Sequence, residues 1–128
     1  MLAGAVLLAS PLAMATRLRP SAAGLGTHQQ LGLPACSARV LWGVRCPACG
    51  MTTSWTHLVR GQLWQSLQAN SGGTLLGLLA IAMVAVLGFH AAVARLPSRR
   101  WSVVLVWCLL IALVVTASDW AWRLAGVD

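Results

Sequence analysis

Two stretches decide how this chain is built: Thr74–Ala94, reading TLLGLLAIAMVAVLGFHAAVA, and Trp101–Trp122, reading WSVVLVWCLLIALVVTASDWAW. The first carries no charged residue and, coiled as a helix, would rise about 31 Å, the thickness of a bilayer's hydrocarbon core. The second places Trp101 at one end and Trp120 and Trp122 at the other, where an aromatic belt meets the headgroups. Between them lies a basic turn, Arg95-Leu96-Pro97-Ser98-Arg99-Arg100. Small-residue pairs at Gly73 and Gly77, and at Gly88 and Ala92, would allow close helix packing along the first span. Asp119 and Arg123 are four apart and predict an ion pair on one face near the end of the second.

The composition agrees. Hydrophobic residues make up 59% of 128 residues and Asp, Glu, Lys and Arg only 9%, too little polar surface to cover a water-soluble core. The formal charge of +7 comes from nine basic residues, all Arg. They flank the apolar runs instead of forming a basic, aromatic-interleaved tract, which predicts phospholipid headgroups as their partners and no nucleic acid. Arg without Lys, beside abundant Ala, Leu and Val, suggests a GC-rich bacterial genome. The expected location is therefore the bacterial cytoplasmic membrane.

Upstream, Met1–Thr16 is apolar around Pro11 and reads as a third membrane helix, either short or the tail of a longer one; a signal peptide ending at Ala13-Met14-Ala15 is the competing reading, although a basic leader segment is missing. Residues 17–51 form a loop rich in turn formers. Over 52–69, Trp55, Leu58, Val59, Leu63 and Leu67 recur at helical spacing, which predicts one amphipathic helix at the membrane interface, capped by Thr52 or Thr53 and weakened at Gly61. Asn70-Ser71-Gly72-Gly73 should break it before the 74–94 helix; the 101–122 helix completes a single all-α membrane domain over 1–128. Six Arg residues (Arg17, Arg19, Arg39, Arg45, Arg60 and Arg123) share the side of the loop, against Arg95, Arg99 and Arg100 in the turn. The count favours a cytoplasmic loop and the density of the short turn pulls the other way.

The chemistry is concentrated at Cys46-Pro47-Ala48-Cys49-Gly50. Pro47 stiffens the turn and Gly50 permits close backbone approach, the geometry in which amides bond to metal-bound sulfurs. Cys36 lies ten residues before Cys46 and is the natural third thiolate; His57 or His28 would be the fourth ligand of a tetrahedral zinc site. The same residues allow a redox reading, in which the motif begins a helix whose dipole acidifies the first thiol and Cys36 resolves the disulfide. The chain lacks the βαβ pattern that a thioredoxin-like assignment requires. Cys108, within the second span, reads as a small apolar residue.

The run Gly43-Val44-Arg45-Cys46-Pro47-Ala48-Cys49-Gly50-Met51-Thr52 resembles the CPxCGxT hallmark of the bacterial membrane proteins grouped as domain-of-unknown-function family 2752. The resemblance extends to Cys36, to Leu58-Val59-Arg60-Gly61-Gln62-Leu63, and to Asn70 as the Asn of an Asn-Pro that precedes a membrane helix; it covers roughly residues 36–120. Thr53 stands where the family usually has Arg, and Ser71 where it has Pro. The resemblance implies a membrane protein and brings no established activity.

No residue set qualifies as catalytic. Recognisable nucleophile, zinc-protease and phosphate-loop motifs are lacking, and Asp119 and Asp128 are the sole carboxylates. The sequence thus predicts a small membrane protein whose cysteine knuckle is structural or accessory and zinc-binding. A membrane thiol-disulfide component, and a helix-packing subunit among other membrane proteins, are the alternatives.

Overall fold

A computed structural model describes residues 2–94 and 98–126 of the chain. Among the described residues all regular structure is helical: α1 (Leu2–Arg17), a 3-10 turn (Thr27–Leu31), α2 (Ser37–Trp42), α3 (Met51–Leu58), α4 (Leu63–Ala69), α5 (Ser71–Ala92) and α6 (Arg99–Leu124). Helices α5 and α6 are long and apolar enough to cross a membrane. Each buries only 6% of its most apolar window against the rest of the chain, so their apolar surfaces face outward. Helix α1, with Pro11 inside it, is shorter and packs along α5. Part of the basic turn, residues 95–97, lies outside the described residues, as does Asp128.

The 52–69 segment is not one helix. It divides into α3 and α4 because Gly61 sits at φ 73° and the chain turns through residues 59–62. The apolar face that periodicity selects is not the face that is buried, either. Thr53, Ser54, Thr56 and Ser66 are fully buried, while Leu63 and Trp64 are exposed. Ser54 Oγ lies 2.9 Å from both Ser66 Oγ and Thr74 Oγ1, and those two lie 2.8 Å apart. This ring of hydroxyls joins α3, α4 and α5. Each member can donate and accept, so the buried polar atoms satisfy one another.

Small residues then set the helix spacing. A methyl group on Gly72 would lie 1.8 Å from Thr116 Oγ1 of α6, and one on Gly77 would lie 2.5 Å from Leu58 Cδ2 of α3. At Gly73 a methyl group would lie 3.2 Å from Met51 Cα and Cγ, a tight but looser fit. The Gly73–Gly77 pair therefore works within the chain, whereas Gly88 faces open space. Arg60 fastens α1: its guanidinium donates to Ala15 O (3.4 Å), Thr16 O (3.3 Å) and Leu18 O, and also to Thr56 O (2.6 Å). Carbonyls at a helix C-terminus lack partners within the helix and carry its negative dipole end, so a cation is well placed there. The Asp119–Arg123 ion pair forms at 3.1 Å, and Arg123 also donates to Gln68 O of α4 at 3.0 Å.

Candidate metal centre

Cys46 through Cys49 form a tight turn, closed by Cys49 N donating to Cys46 O at 3.0 Å and Met51 N to Ala48 O at 3.1 Å. Helix α3 begins only at Met51. Cys46 is therefore not at a helix start, and the dipole effect that the redox reading assigned to it is missing. Gly50 makes the transition at φ 86°, a left-handed conformation that glycine adopts without penalty. It is buried against Ala69 O and Gly24 O, so a side chain there would strike backbone. The expected cap at Thr52 or Thr53 is replaced by this glycine. Thr53 instead lies 2.8 Å from Thr27 through its hydroxyl, fully buried, while Thr52 lines the groove beside the thiols.

The turn is fixed to both long helices. Asn70, 3% exposed, caps α5 by accepting from Gly73 N at 2.6 Å. Its Nδ2 donates to Pro47 O at 3.0 Å and Cys49 O at 3.1 Å, so one side chain both starts α5 and holds the cysteine turn. Ser71 follows as the first helical residue, a position where Pro is readily accepted, which accounts physically for the Asn-Pro of the resemblance. From α6, Trp120 Nε1 donates to Arg45 O at 2.6 Å. Asn70→Asp keeps an N-cap acceptor but loses both amide donors. We expect it to preserve helix content while raising proteolytic cleavage within 43–50 several-fold, and Asn70→Ala to lower stability further by about 1 kcal/mol for the lost cap. Equal cleavage of Asn70→Asp and the parent chain would remove Asn70 as the tether.

Cys36 caps α2 and reaches the same turn. Its Sγ is 3.4 Å from Cys46 Sγ, and Cys46 Sγ is 3.3 Å from Cys49 Sγ. All three sulfurs lie within 4.8 Å of one another and are free thiols. Around a tetrahedral zinc ion with bonds of about 2.3 Å, sulfurs are separated by about 3.8 Å, so modest spreading would admit an ion. The Cys36 thiol is lowered to about 7 by hydrogen bonding from Cys46 and then by the Arg39 and Ala38 amides. Burial, followed by the Cys46 thiol, pushes Cys49 up to about 11. A bound cation would reverse the second effect, since it favours every thiolate around it.

Among the described residues, the group close enough to share an ion is these three cysteines. His57 is not part of it: its Nδ1 meets Gln62 Oε1 at 2.7 Å on the far side of α3, where the ring lines a separate hollow with Pro20 and Gln65. His28 lines the same groove as the thiols, a cavity of about 680 Å³ walled also by Arg39, Met51 and Trp55. Its Nε2 is 3.2 Å from Pro34 O. A carbonyl only accepts, so Nε2 is the donor in this contact. Like His57, His28 lies outside the group of ligand atoms that converge within 4.8 Å. Cys108 is half-buried in α6, apart from the cluster.

The model of the family described as Protein of unknown function (DUF2752) matches residues 36–87. This segment of the chain is similar to that family. The match starts at Cys36, takes in the cysteine turn, α2, α3 and α4, and ends inside α5; it is shorter than the 36–120 that the motifs suggested. No curated protein and no solved structure matches the chain. The DUF2752 segment thus contains all three clustered thiols together with Asn70, whereas α1 and α6 lie outside it.

Proposed function

We propose that this chain is a small integral protein of the bacterial cytoplasmic membrane whose Cys36, Cys46 and Cys49 hold a zinc-class ion, in a structural or accessory role. The convergence of three sulfurs within 4.8 Å carries the reading. Thiolates suit a borderline-soft divalent cation, and a structural zinc site needs four donors. His28 is the better histidine for the fourth position, because it lines the thiol groove and His57 does not. Such an ion would cross-link α2 to the turn before α3, adding covalent-strength bonds where the Cys36–Cys46 sulfur contact now joins them. Bonded in turn to Asn70 and Trp120, the knuckle would brace the ends of α5 and α6.

One observation favours a second reading: Cys46 touches both other thiols, so it can form a disulfide with either. Closing one releases two protons and two electrons to an acceptor such as a partner's disulfide. The two readings separate in one experiment. Protein purified in detergent under reducing conditions is expected to contain about one zinc per chain, and its cobalt-substituted form to show thiolate-to-metal charge-transfer absorption. His28→Ala should alter the cobalt spectrum and His57→Ala should not. Metal-free protein that reversibly forms a Cys46–Cys49 disulfide would overturn the knuckle and establish the redox role.

A further inference from the structure

The segment before the cysteine turn has an unusual surface. Helix α2 buries none of its six residues. Val40, Leu41 and Trp42 project outward, Leu41 at 69% and Trp42 at 73% exposure, and Leu31 and Leu33 are exposed in the stretch just before α2. The basic side chains of Arg39 and Arg45 belong to the same segment, and no acidic residue occurs between Met1 and Ser118. An exposed apolar stretch that carries Arg and no acidic residue has the composition of an element that lies in an anionic membrane surface.

The depth of this face follows from how the turn is tied. Helix α5 has 22 residues, roughly 33 Å of rise against a hydrocarbon core of about 30 Å. Its capping residue, Asn70, therefore stands at the boundary of the core if α5 spans. The turn hangs directly on Asn70 and on Trp120 in the last turns of α6, with no spacer. Trp42 is three residues from the Arg45 carbonyl that Trp120 holds, a reach of at most about 11 Å. The face thus continues the level at which the two long helices leave the core.

We infer that residues 31–42, presenting Leu31, Leu33, Val40, Leu41 and Trp42 with Arg39, form an interfacial anchor for anionic phospholipid, which holds the thiol groove at headgroup depth. The groove between the 3-10 turn and α2 then opens into the headgroup layer, not into bulk water. The inference rests on α5 and α6 spanning the bilayer. It does not depend on whether the thiols carry metal.

The experiment uses the full chain reconstituted in vesicles of phosphatidylcholine and phosphatidylglycerol, with the emission of single tryptophans obtained by difference from Trp42→Phe and Trp107→Phe. Trp107, at mid-helix and exposed on α6, reports whether the span is inserted. Trp42 emission is expected to lose more than half its intensity to lipids brominated near the headgroup and little to aqueous acrylamide. Removing phosphatidylglycerol should weaken that quenching at least ~2-fold, since each Arg near an anionic surface is worth about 1 kcal/mol. Trp42 emission quenched by acrylamide but not by brominated lipid would place the face in water and overturn the anchor. Quenching by neither would put a protein there instead, which also overturns it. Brominated lipid without effect on Trp107 would show that the spanning premise had failed, separately from the anchor.

Discussion

Gly50→Ala should cripple the chain, whereas Gly61→Ala should be tolerated. Both glycines have positive φ, 86° and 73°, so both substitutions carry the conformational penalty of a left-handed residue, about 1–2 kcal/mol. Their surroundings differ. A methyl at Gly61 meets nothing within 4 Å, but at Gly50 it would lie 2.5 Å from Ala69 O and 3.0 Å from Gly24 O. Those are main-chain atoms, held by the Asn70 cap and by the turn before the 3-10 helix, and they cannot rotate away. Overpacking of this kind costs roughly a further 1–3 kcal/mol. We expect Gly50→Ala to lower the detergent unfolding midpoint well below that of Gly61→Ala and to deplete the protein from membranes. Equal midpoints for the two variants would mean that Ala69 and Gly24 are not packed on this turn.

The second large effect separates the cysteines by position. Cys46→Ser and Cys49→Ser should each weaken zinc binding more than about 100-fold, because changes even outside the ligand shell cost about 10–100-fold and a missing thiolate leaves the donor set incomplete. Cys36→Ser should fall with them, since its sulfur is 3.4 Å from Cys46. Cys108→Ala should leave binding unchanged, as Cys108 stands outside the group of converging ligand atoms. Competitive titration against a chromophoric chelator reads all four. Undiminished affinity in Cys36→Ser would reduce the site to two thiols, too few for a structural ion.

The extent to which the sequence foretells this arrangement depends on what kind of signal each part rests on. Helices α5 and α6 are legible because a run of apolar residues of spanning length has few other uses, and their observed bounds differ from the reading by two or three residues at each end. The three-thiol cluster is legible from Cys-x-x-Cys plus one neighbour. The break at Gly61 has a sequence mark, yet periodicity across 55–67 overrode it. The buried hydroxyl ring has none: Ser54, Ser66 and Thr74 read as surface residues by type. They lie inside because α3, α4 and α5 meet where Gly73 and Gly77 admit close approach, a tertiary fact. Asn70 is legible as the start of the 70–73 break, and as the residue that opens a membrane helix only through family resemblance. Its double role depends on a carbonyl pair 21 and 23 residues upstream, which no local pattern reports. His57 and His28 are equal candidates by residue type, and only the fold shows that α3 carries His57 into a separate hollow.

The tether from Trp120 to Arg45 spans 75 residues, and its two ends are made at different times. At a ribosome's pace of about 5–20 residues per second, roughly 4–15 s separate their synthesis. Throughout that interval the nascent thiols exist without the contact that later presses their turn against the second long helix. The order of manufacture therefore opens a period in which an ion can be loaded, or a wrong disulfide made, before the C-terminal helix latches the site.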